Sequence, residues 1–229
     1  MLKFSRNNRK LAKLSGYKRG EVVSFSLPSG WTCPAARDCK ARYNPVTCKI
    51  EESATIKYRC YGAILEAIFN GYRNIVWENF NTIRDIKSAT IIATMINQAI
   101  PVKAKLIRIH VTGDFYNEIY FKAWLKVVTM NPNRKFYGYT KRIDLLIKYK
   151  SKIPENLILT ASIGGKYDHL INEYRLKSAR VVYTTAEAES LGLTINDNEE
   201  IALMGNESFA ILIHGMQPNR INKLRKEMK

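Results

Sequence analysis

Several features that define common protein classes are missing from this sequence. No apolar run approaches the roughly 20 residues that span a bilayer, because the longest candidate, 89–100, is interrupted by Thr, Asn and Gln. The first 21 residues are basic and lack the apolar core of a secretory signal. Both absences predict a cytoplasmic protein without membrane contact.

Three sequence motifs of well-known enzyme classes are also missing. The chain contains no G-x-G-x-x-G, no G-x-x-x-x-G-K-[ST] and no G-x-S-x-G. These absences argue against a dinucleotide-binding fold, a P-loop nucleotidase and a serine hydrolase of the nucleophile-elbow type.

Acidic residues are scarce relative to basic ones. The sequence has 37 Lys and Arg against 20 Asp and Glu, a formal net charge of +17, and much of the excess lies at the two ends. A globular protein this basic commonly binds a polyanion, which predicts a nucleic-acid partner. The alternative is that the charge only keeps the protein soluble. Because residues 1–18 offer few apolar anchors, we expect them to contribute little to stability.

The pattern of apolar residues predicts one α/β domain. From Lys105 onward, buried strands alternate with amphipathic helices, which is typical of parallel βαβ units. We therefore predict a partial or small (β/α) barrel of parallel strands with an N-terminal cysteine-rich loop region; an open doubly wound sheet is the alternative. The predicted organisation is a basic segment 1–20, one domain 21–215 that includes the cysteine loop 28–61, and a basic C-terminal helix 216–229. The predicted strands are 22–27, 106–111, 135–140, 157–162, 180–184 and 209–214, and the predicted helices after the loop include 82–98, 118–130 and 144–150.

All four cysteines lie in that loop. Cys33, Cys39, Cys48 and Cys60 have the spacing C-x5-C-x8-C-x11-C, and none follows. Without a secretory context, such a cluster indicates a metal or iron–sulfur site more than disulfides. Zinc sites usually contain C-x2-4-C pairs, whereas iron–sulfur clusters accept varied spacings. Iron–sulfur is therefore favoured, and zinc or plain thiols remain alternatives.

Polar residues follow the predicted strands at their carboxyl ends, where parallel barrels carry their active sites. Asp114 and His214 are the candidate catalytic residues, His214 as a proton carrier. Asp114 has the alternative role of a helix cap, and hydroxyls on strands are often core groups. The full set of candidates at the strand ends is Gly113, Asp114, Thr140, Lys141, Ser162, Thr184, Glu187 and His214.

A block of aromatic and basic residues surrounds the second of these strand ends. Interleaved aromatics and cations can stack bases and bind phosphates, although core packing accounts for many such aromatics. The candidate nucleic-acid-binding residues are Arg134, Tyr137, Tyr139, Lys141 and Arg142.

The sequence resembles a phage protein family called gene product 88. The resemblance is carried by SLPSG at 26–30, TCP at 32–34, Cys39 and RCY at 59–61, and by the later blocks RIHVTGDFY (108–116), YGYTK (137–141), LTAS (159–162) and LIHG (212–215). It covers about residues 24–217 and implies a phage-encoded protein, acting in the host cytoplasm, without implying an activity.

The order of cysteine loop, helix and strand is also similar to that of radical S-adenosylmethionine enzymes. That resemblance implies a [4Fe–4S] cluster on three cysteines, for which we select Cys33, Cys39 and Cys60, and S-adenosylmethionine on the fourth iron. It implies a cofactor-binding role for Gly113, Asp114, Thr140, Ser162 and Thr184. The chain departs from the usual C-x3-C-x2-C spacing of those enzymes, and Cys48 is extra.

Three functions are consistent with these observations. The first is a radical S-adenosylmethionine-like iron–sulfur enzyme that acts on a nucleotide or nucleic acid. The second is a non-catalytic nucleic-acid-binding protein with a structural metal such as zinc. The third is a metal-independent nucleic-acid base-modifying enzyme with Asp114 as nucleophile. The cysteine loop favours the first.

Overall fold

The computed structural model describes residues 1–6, 11, 14, 16–196 and 199–227. In this part of the chain a parallel sheet is flanked by helices, which confirms the predicted α/β class. No helix within these residues has the length and apolar character needed to cross a membrane.

Nine strands form two sheets in the described residues. A small antiparallel hairpin, β2 and β3, stands apart from a seven-stranded parallel sheet. The strands are β1 (Val22–Phe25), β2 (Ala41–Asn44), β3 (Lys49–Glu52), β4 (Leu106–Ile109), β5 (Lys135–Thr140), β6 (Leu157–Ser162), β7 (Ser178–Val182), β8 (Thr194–Ile195) and β9 (Phe209–Leu212).

The main sheet is open. Its order is β1-β4-β5-β6-β7-β9-β8, and its edge strands, β1 and β8, are not paired with each other in the part of the chain that the structure describes. The predicted partial or small barrel is thus correct in its parallel strands and helices, but within the described residues the sheet does not close into a barrel. Leaving out β2, β3 and β8, the strands lie side by side in the order in which they occur in the chain. Because they are parallel, their carboxyl ends lie along one edge of the sheet. The order does not reverse in the middle, as it would in a doubly wound sheet.

Helices connect the strands. They are α1 (Tyr61–Ile68), α2 (Asn70–Ile83), α3 (Ala89–Ala99), α4 (Glu118–Thr129), α5 (Ile143–Lys148), a 3-10 turn (Lys150–Lys152), α6 (Asp168–Glu173), α7 (Thr185–Ser190), α8 (Glu200–Leu203) and α9 (Asn219–Glu227).

Two helix boundaries differ from the predictions. The predicted helix 82–98 is divided between α2 and α3, because Ser88 starts a new helix by accepting a hydrogen bond from the backbone N–H of Ile91. The C-terminal helix begins only after Pro218, whose carbonyl accepts from the N–H groups of Ile221 and Asn222. Its last two predicted residues, 228 and 229, lie outside the described residues.

The two faces of the sheet are covered differently. One face packs Phe25, Ile107 and Phe136 against the helices, and Trp124 of α4 meets Phe25 with ring centroids 5.5 Å apart. The opposite face carries Arg108 at the centre of a polar group, described below. Because side chains alternate along each strand, this division follows from the register of neighbouring strands.

The N-terminal segment packs against this opposite face and beside β1. Leu11 and Leu14 are only 2% and 4% exposed and lie in a cluster with Leu106 and Phe209. The backbone of Ser5 pairs with Ser24 of β1 through bonds of 2.8 and 2.9 Å. The expectation that residues 1–18 have few apolar anchors is therefore wrong.

Candidate functional site

The cysteine loop lies across the carboxyl edge of the parallel sheet. It leaves β1, crosses the ends of β4 and β6, and returns to start α1. The backbone N–H groups of Arg37 and Asp38 donate to the carbonyl of Gly164 at 3.1 and 3.0 Å, and Lys166 donates to the carbonyl of Ala35 at 2.9 Å. These bonds fix the loop to the segment that follows β6.

Glycine at 113 permits the close approach of the loop to β4. Gly113 has a φ of +83°, and a Cβ added there would lie 2.7 Å from the Thr32 hydroxyl oxygen and 2.8 Å from the Cβ of Leu27. A larger residue would meet both backbone strain and a steric clash. Because Thr32 directly precedes Cys33, this contact places the first cysteine at the end of β4.

Three of the four cysteines come together at this edge. A hydrogen bond from Cys60, helped by the charge of Lys141, lowers the pKa of Cys39 to about 6 against the effect of burial. The same bond and burial raise the pKa of Cys60. Burial, with the nearby charges of Asp114 and Cys39, raises the pKa of Cys33. The three side chains are partly accessible to solvent, and we call the group of Cys33, Cys39 and Cys60 the three-cysteine pocket.

Cys48 does not belong to this group. It lies in the turn between β2 and β3, where it is exposed and its Sγ atom is 3.8 Å from the carbonyl oxygen of Pro45. No disulfide links any of the four cysteines, all of which the structure describes.

Lys141 supplies a buried positive charge next to the thiols. Its Nζ atom donates to the Ser162 hydroxyl at 2.8 Å and to the carbonyls of Ile163 and Ser162 at 2.7 and 3.3 Å. Lys141 is only 7% exposed. Because these three acceptors are neutral oxygens, the charge acts on the surrounding groups, and it favours the anionic form of Cys39.

The carboxylate of Asp114 joins the ends of β4 and β5. One oxygen accepts from the Thr140 hydroxyl and from the N–H of Phe115, both at 2.7 Å, and the other accepts from the N–H of Lys141 at 2.9 Å. Burial raises the pKa of Asp114 against the effect of these bonds. The group is therefore a clamp that fixes the backbone of Lys141 beside the thiols.

The remaining predicted site residues occupy distinct places. Gly113, Thr140 and Ser162 lie at the same edge as the three thiols. Thr184 follows β7 and caps α7 by accepting from the N–H of Glu187 at 3.1 Å. The exposed ring of His214 packs on Tyr61, which directly follows Cys60, with centroids 4.5 Å apart.

The predicted nucleic-acid-binding residues do not form one surface. Tyr137 is 1% exposed, and the Tyr139 hydroxyl donates to Glu199 at 2.9 Å on the sheet's opposite face. Arg142 is bound to Asp144 and to the carbonyl of Phe115. Arg134 precedes β5 and so lies at the other end of the sheet from Lys141, which is buried beside the thiols. The prediction that a base stacks on Tyr137 is therefore corrected, because the Tyr137 ring is buried in the core.

Sequence reasoning missed three buried polar groups near these elements. The Glu66 carboxylate accepts from the N–H and hydroxyl of Ser29, both at 2.7 Å, and from the Trp77 ring N–H at 3.2 Å, which ties α1 to the loop. Burial raises the pKa of Glu66 to about 7. The sequence pointed to this role only in that Glu66 is a single acidic residue within the apolar stretch 63–68.

Tyr58 and the Arg108–Glu199 pair are the other two. Burial raises the pKa of Tyr58, which lies against Cys39 and Cys60. Arg108 donates to Glu199 at 2.7 Å, and its guanidinium lies over Tyr139, 5.1 Å from the ring centroid. No local motif signals the Arg108–Glu199 pair, because the two residues are 91 positions apart in the chain.

The arrangement of the thiols limits the metal chemistry they can support. Among the described residues, no group of three or more His, Cys, Asp or Glu side chains is positioned to hold a single metal ion. A mononuclear zinc site needs all its sulfur ligands about 2.3 Å from one point. An iron–sulfur cluster binds its thiolates through different irons, so its ligands stand farther apart.

Comparison with known proteins gives a family. A family model described as Gene product 88 matches residues 2–226. The Gene 88 protein of Mycobacterium phage L5 is 27% identical over 168 residues, which cover 64% of this chain and 64% of the relative. The corresponding protein of Mycobacterium phage D29 is 26% identical over 168 residues, 64% of this chain and 63% of the relative. The chain thus spans somewhat less than two thirds of these curated relatives, and no solved structure matches it.

Proposed function

Since the chain belongs to the gene product 88 family, we propose that this phage protein is an iron–sulfur protein whose cluster is held by Cys33, Cys39 and Cys60. The observation that carries the proposal is the meeting of these three thiols, from a single loop, at the carboxyl edge of the sheet. We further propose a radical S-adenosylmethionine-like activity on a nucleotide or nucleic acid.

The surroundings of the thiols suit an anionic cluster. Cluster ligation requires thiolates, so the thiols must lose their protons on binding. The buried charge of Lys141 favours thiolate at Cys39. The clamp at Asp114 holds the backbone of Lys141, and neutral oxygens orient its Nζ atom. The raised pKa values of Cys33 and Cys60 belong to the metal-free protein, in which those protons are still present.

Three coordinating cysteines would leave one iron of a [4Fe–4S] cluster open. When bound there, S-adenosylmethionine supplies a source of radical chemistry. The residues that we propose for cofactor binding are Gly113, Thr140 and Ser162, which lie at the same edge as the thiols, and Thr184, which follows β7 and caps α7.

The catalytic roles proposed at this edge differ in kind. The Asp114 carboxylate accepts hydrogen bonds from Thr140, Phe115 and Lys141, so we assign it a positioning role through Thr140 and Lys141. The exposed ring of His214 packs on Tyr61, the residue that follows Cys60, and this contact supports a role for His214 near the thiols. It remains the candidate proton carrier.

The same contacts weigh against a base-modifying enzyme that uses Asp114 as nucleophile. A buried carboxylate that accepts three hydrogen bonds would have to break them before attacking a substrate. A structural metal in a non-catalytic nucleic-acid-binding protein stays the alternative, and metal analysis separates it from the proposal.

Anaerobic purification followed by analysis of iron, acid-labile sulfide and zinc tests the proposal. We expect about four irons and four sulfides per chain and broad visible absorbance. Replacing Cys33, Cys39 or Cys60 with Ala should abolish the colour. Cys48→Ala is the matched control and should retain it, because Cys48 lies outside the pocket. A colourless protein that carries stoichiometric zinc would contradict the proposal and support the structural-metal alternative.

A further inference from the structure

An exposed aromatic ring stands at the entrance to the three-cysteine pocket. Tyr61 directly follows Cys60, is 39% exposed and packs against the ring of His214 at 4.5 Å. The turn at Gly215 also lies close to this ring, since a Cβ at Gly215 would lie 3.3 Å from the Tyr61 ring. Tyr61 is therefore held in place while part of its surface faces solvent.

The basic C-terminal helix is attached to the same entrance. The side-chain amide of Gln217 accepts from the N–H of Arg59 at 2.7 Å and donates to the carbonyl of Arg59 at 3.3 Å. Arg220 donates to the carbonyl of Ile56 at 3.0 Å, and Ile221 is fully buried. These contacts fix the start of α9 beside the segment that leads to Cys60.

Two lysines of the helix, Lys223 and Lys226, face solvent. Within residues 219–227 four basic side chains accompany one acid, Glu227. Lys223 is 81% exposed, and Lys226 is also exposed. The helix that carries these lysines thus starts close to the segment that bears the exposed ring of Tyr61.

We propose that α9 and the Tyr61–His214 pair form a binding surface for single-stranded nucleic acid, with phosphates on Lys223 and Lys226 and a base on Tyr61. This proposal rests on the proposed function for the role of the three-cysteine pocket. It adds the class of substrate and the surface next to the three cysteines that would bind it. It replaces the surface predicted around Tyr137 with one whose aromatic ring is accessible.

The chemistry of the surface favours a single strand over other polyanions. An acidic peptide would use the cations but has no general need for a stacking ring. A duplex keeps its bases paired and stacked inside the helix, whereas a single strand offers bases that can stack on aromatic side chains.

Binding of fluorescein-labelled 12-nucleotide DNA and RNA strands, measured by fluorescence anisotropy, tests the surface. For Tyr61→Leu, which keeps an apolar contact with Gly215, we expect a loss of affinity of about 5- to 150-fold for the loss of one stacked base. The matched control is Tyr174→Leu, since Tyr174 is 42% exposed at the end of α6, and it should bind like the unchanged protein. Equal binding by Tyr61→Leu and the unchanged protein would overturn the proposal.

A second pair of variants tests the cations. The double variant Lys223→Gln and Lys226→Gln should reduce the log–log salt slope by about 1.4, the contribution of two phosphates on a single strand. The charge-matched control replaces the exposed Lys87 and Lys103 with Gln, of which Lys103 precedes β4 at the other end of the sheet. An equal loss in both double variants would show that only net charge matters and would overturn the proposal.

Cluster content separates this inference from the proposed function. Tyr61→Leu leaves all three cysteines in place, so its iron and sulfide contents should equal those of the unchanged protein. If strands bind as expected but no cluster forms, the proposed function fails and the surface stands. If the cluster forms and neither DNA nor RNA strands bind near 50 mM salt, the surface fails and the proposed function stands.

Discussion

Glu66 is the residue whose burial has the clearest consequence for stability. Its carboxylate lies between α1, the cysteine loop and Trp77, and burial raises its pKa from 4.5 to about 7. The folded state therefore binds this proton more tightly than the unfolded state. The resulting stabilisation is complete below about pH 4.5 and is lost as the pH rises to about 7. The shift corresponds to about 3 kcal/mol.

Replacing Glu66 with Gln should remove this pH dependence. We expect the free energy of unfolding of Glu66→Gln, relative to that of the unchanged protein, to rise between pH 4.5 and 7, as measured by urea denaturation. The difference in unfolding free energy between the two proteins removes the contributions of other titrating groups. One of these is His110, because burial lowers its pKa to about 3. The exposed Glu173→Gln serves as the control. Parallel stability curves for Glu66→Gln and the unchanged protein would show that Glu66 does not titrate in this range.

The residues of the candidate site were only partly predictable from the sequence. Cys33, Cys39 and Cys60 could be selected, and strand ends indicated Asp114 and Thr140, because parallel strands bring their carboxyl ends to one edge. The pairing of Arg108 with Glu199 spans 91 positions and leaves no local pattern. Tyr137 was predicted to lie on a binding surface because the sequence of a strand does not show whether an aromatic side chain faces solvent or the core.

At the level of elements, the alternation of strands and helices could be predicted, because apolar residues are spaced differently in strands and in helices. The hairpin of β2 and β3 was missed, since its strands have only four residues each and β3 is largely polar with no buried residue. The position of β8 outside β9 was missed for a related reason: a strand of two residues carries no periodicity.

The N-terminal segment is the part of the chain whose role in the structure differs most from the prediction. Its basic residues suggested a dispensable tail, yet Leu2, Leu11 and Leu14 are buried. We expect Leu11→Ala and Leu14→Ala each to lower the free energy of unfolding by about 2–5 kcal/mol, the usual cost of such cavities. Urea denaturation measures this loss, with the exposed Arg19→Ala as the control. Stability unchanged in both leucine variants would mean that the segment does not anchor on the sheet.

On the scale of the whole molecule, the excess of 17 positive charges is divided between different tasks. Lys141 is buried and acts on the thiols, and Arg108 is held in an ion pair beneath the sheet. The solvated charge of α9 lies next to the pocket entrance through the contacts of Gln217 and Arg220. Net charge alone does not indicate where a nucleic acid would bind, and the surface that we propose is based on the attachment of α9 to the cysteine loop.

The central claim of the proposal is that Cys33, Cys39 and Cys60 hold a [4Fe–4S] cluster with one iron available to a small molecule. Electron paramagnetic resonance of the anaerobically purified and reduced protein, recorded with and without S-adenosylmethionine, tests it most directly. The account predicts the signal of a reduced [4Fe–4S] cluster whose spectrum changes when S-adenosylmethionine is added. A protein without a cluster signal, or with a signal that S-adenosylmethionine leaves unchanged, would contradict it.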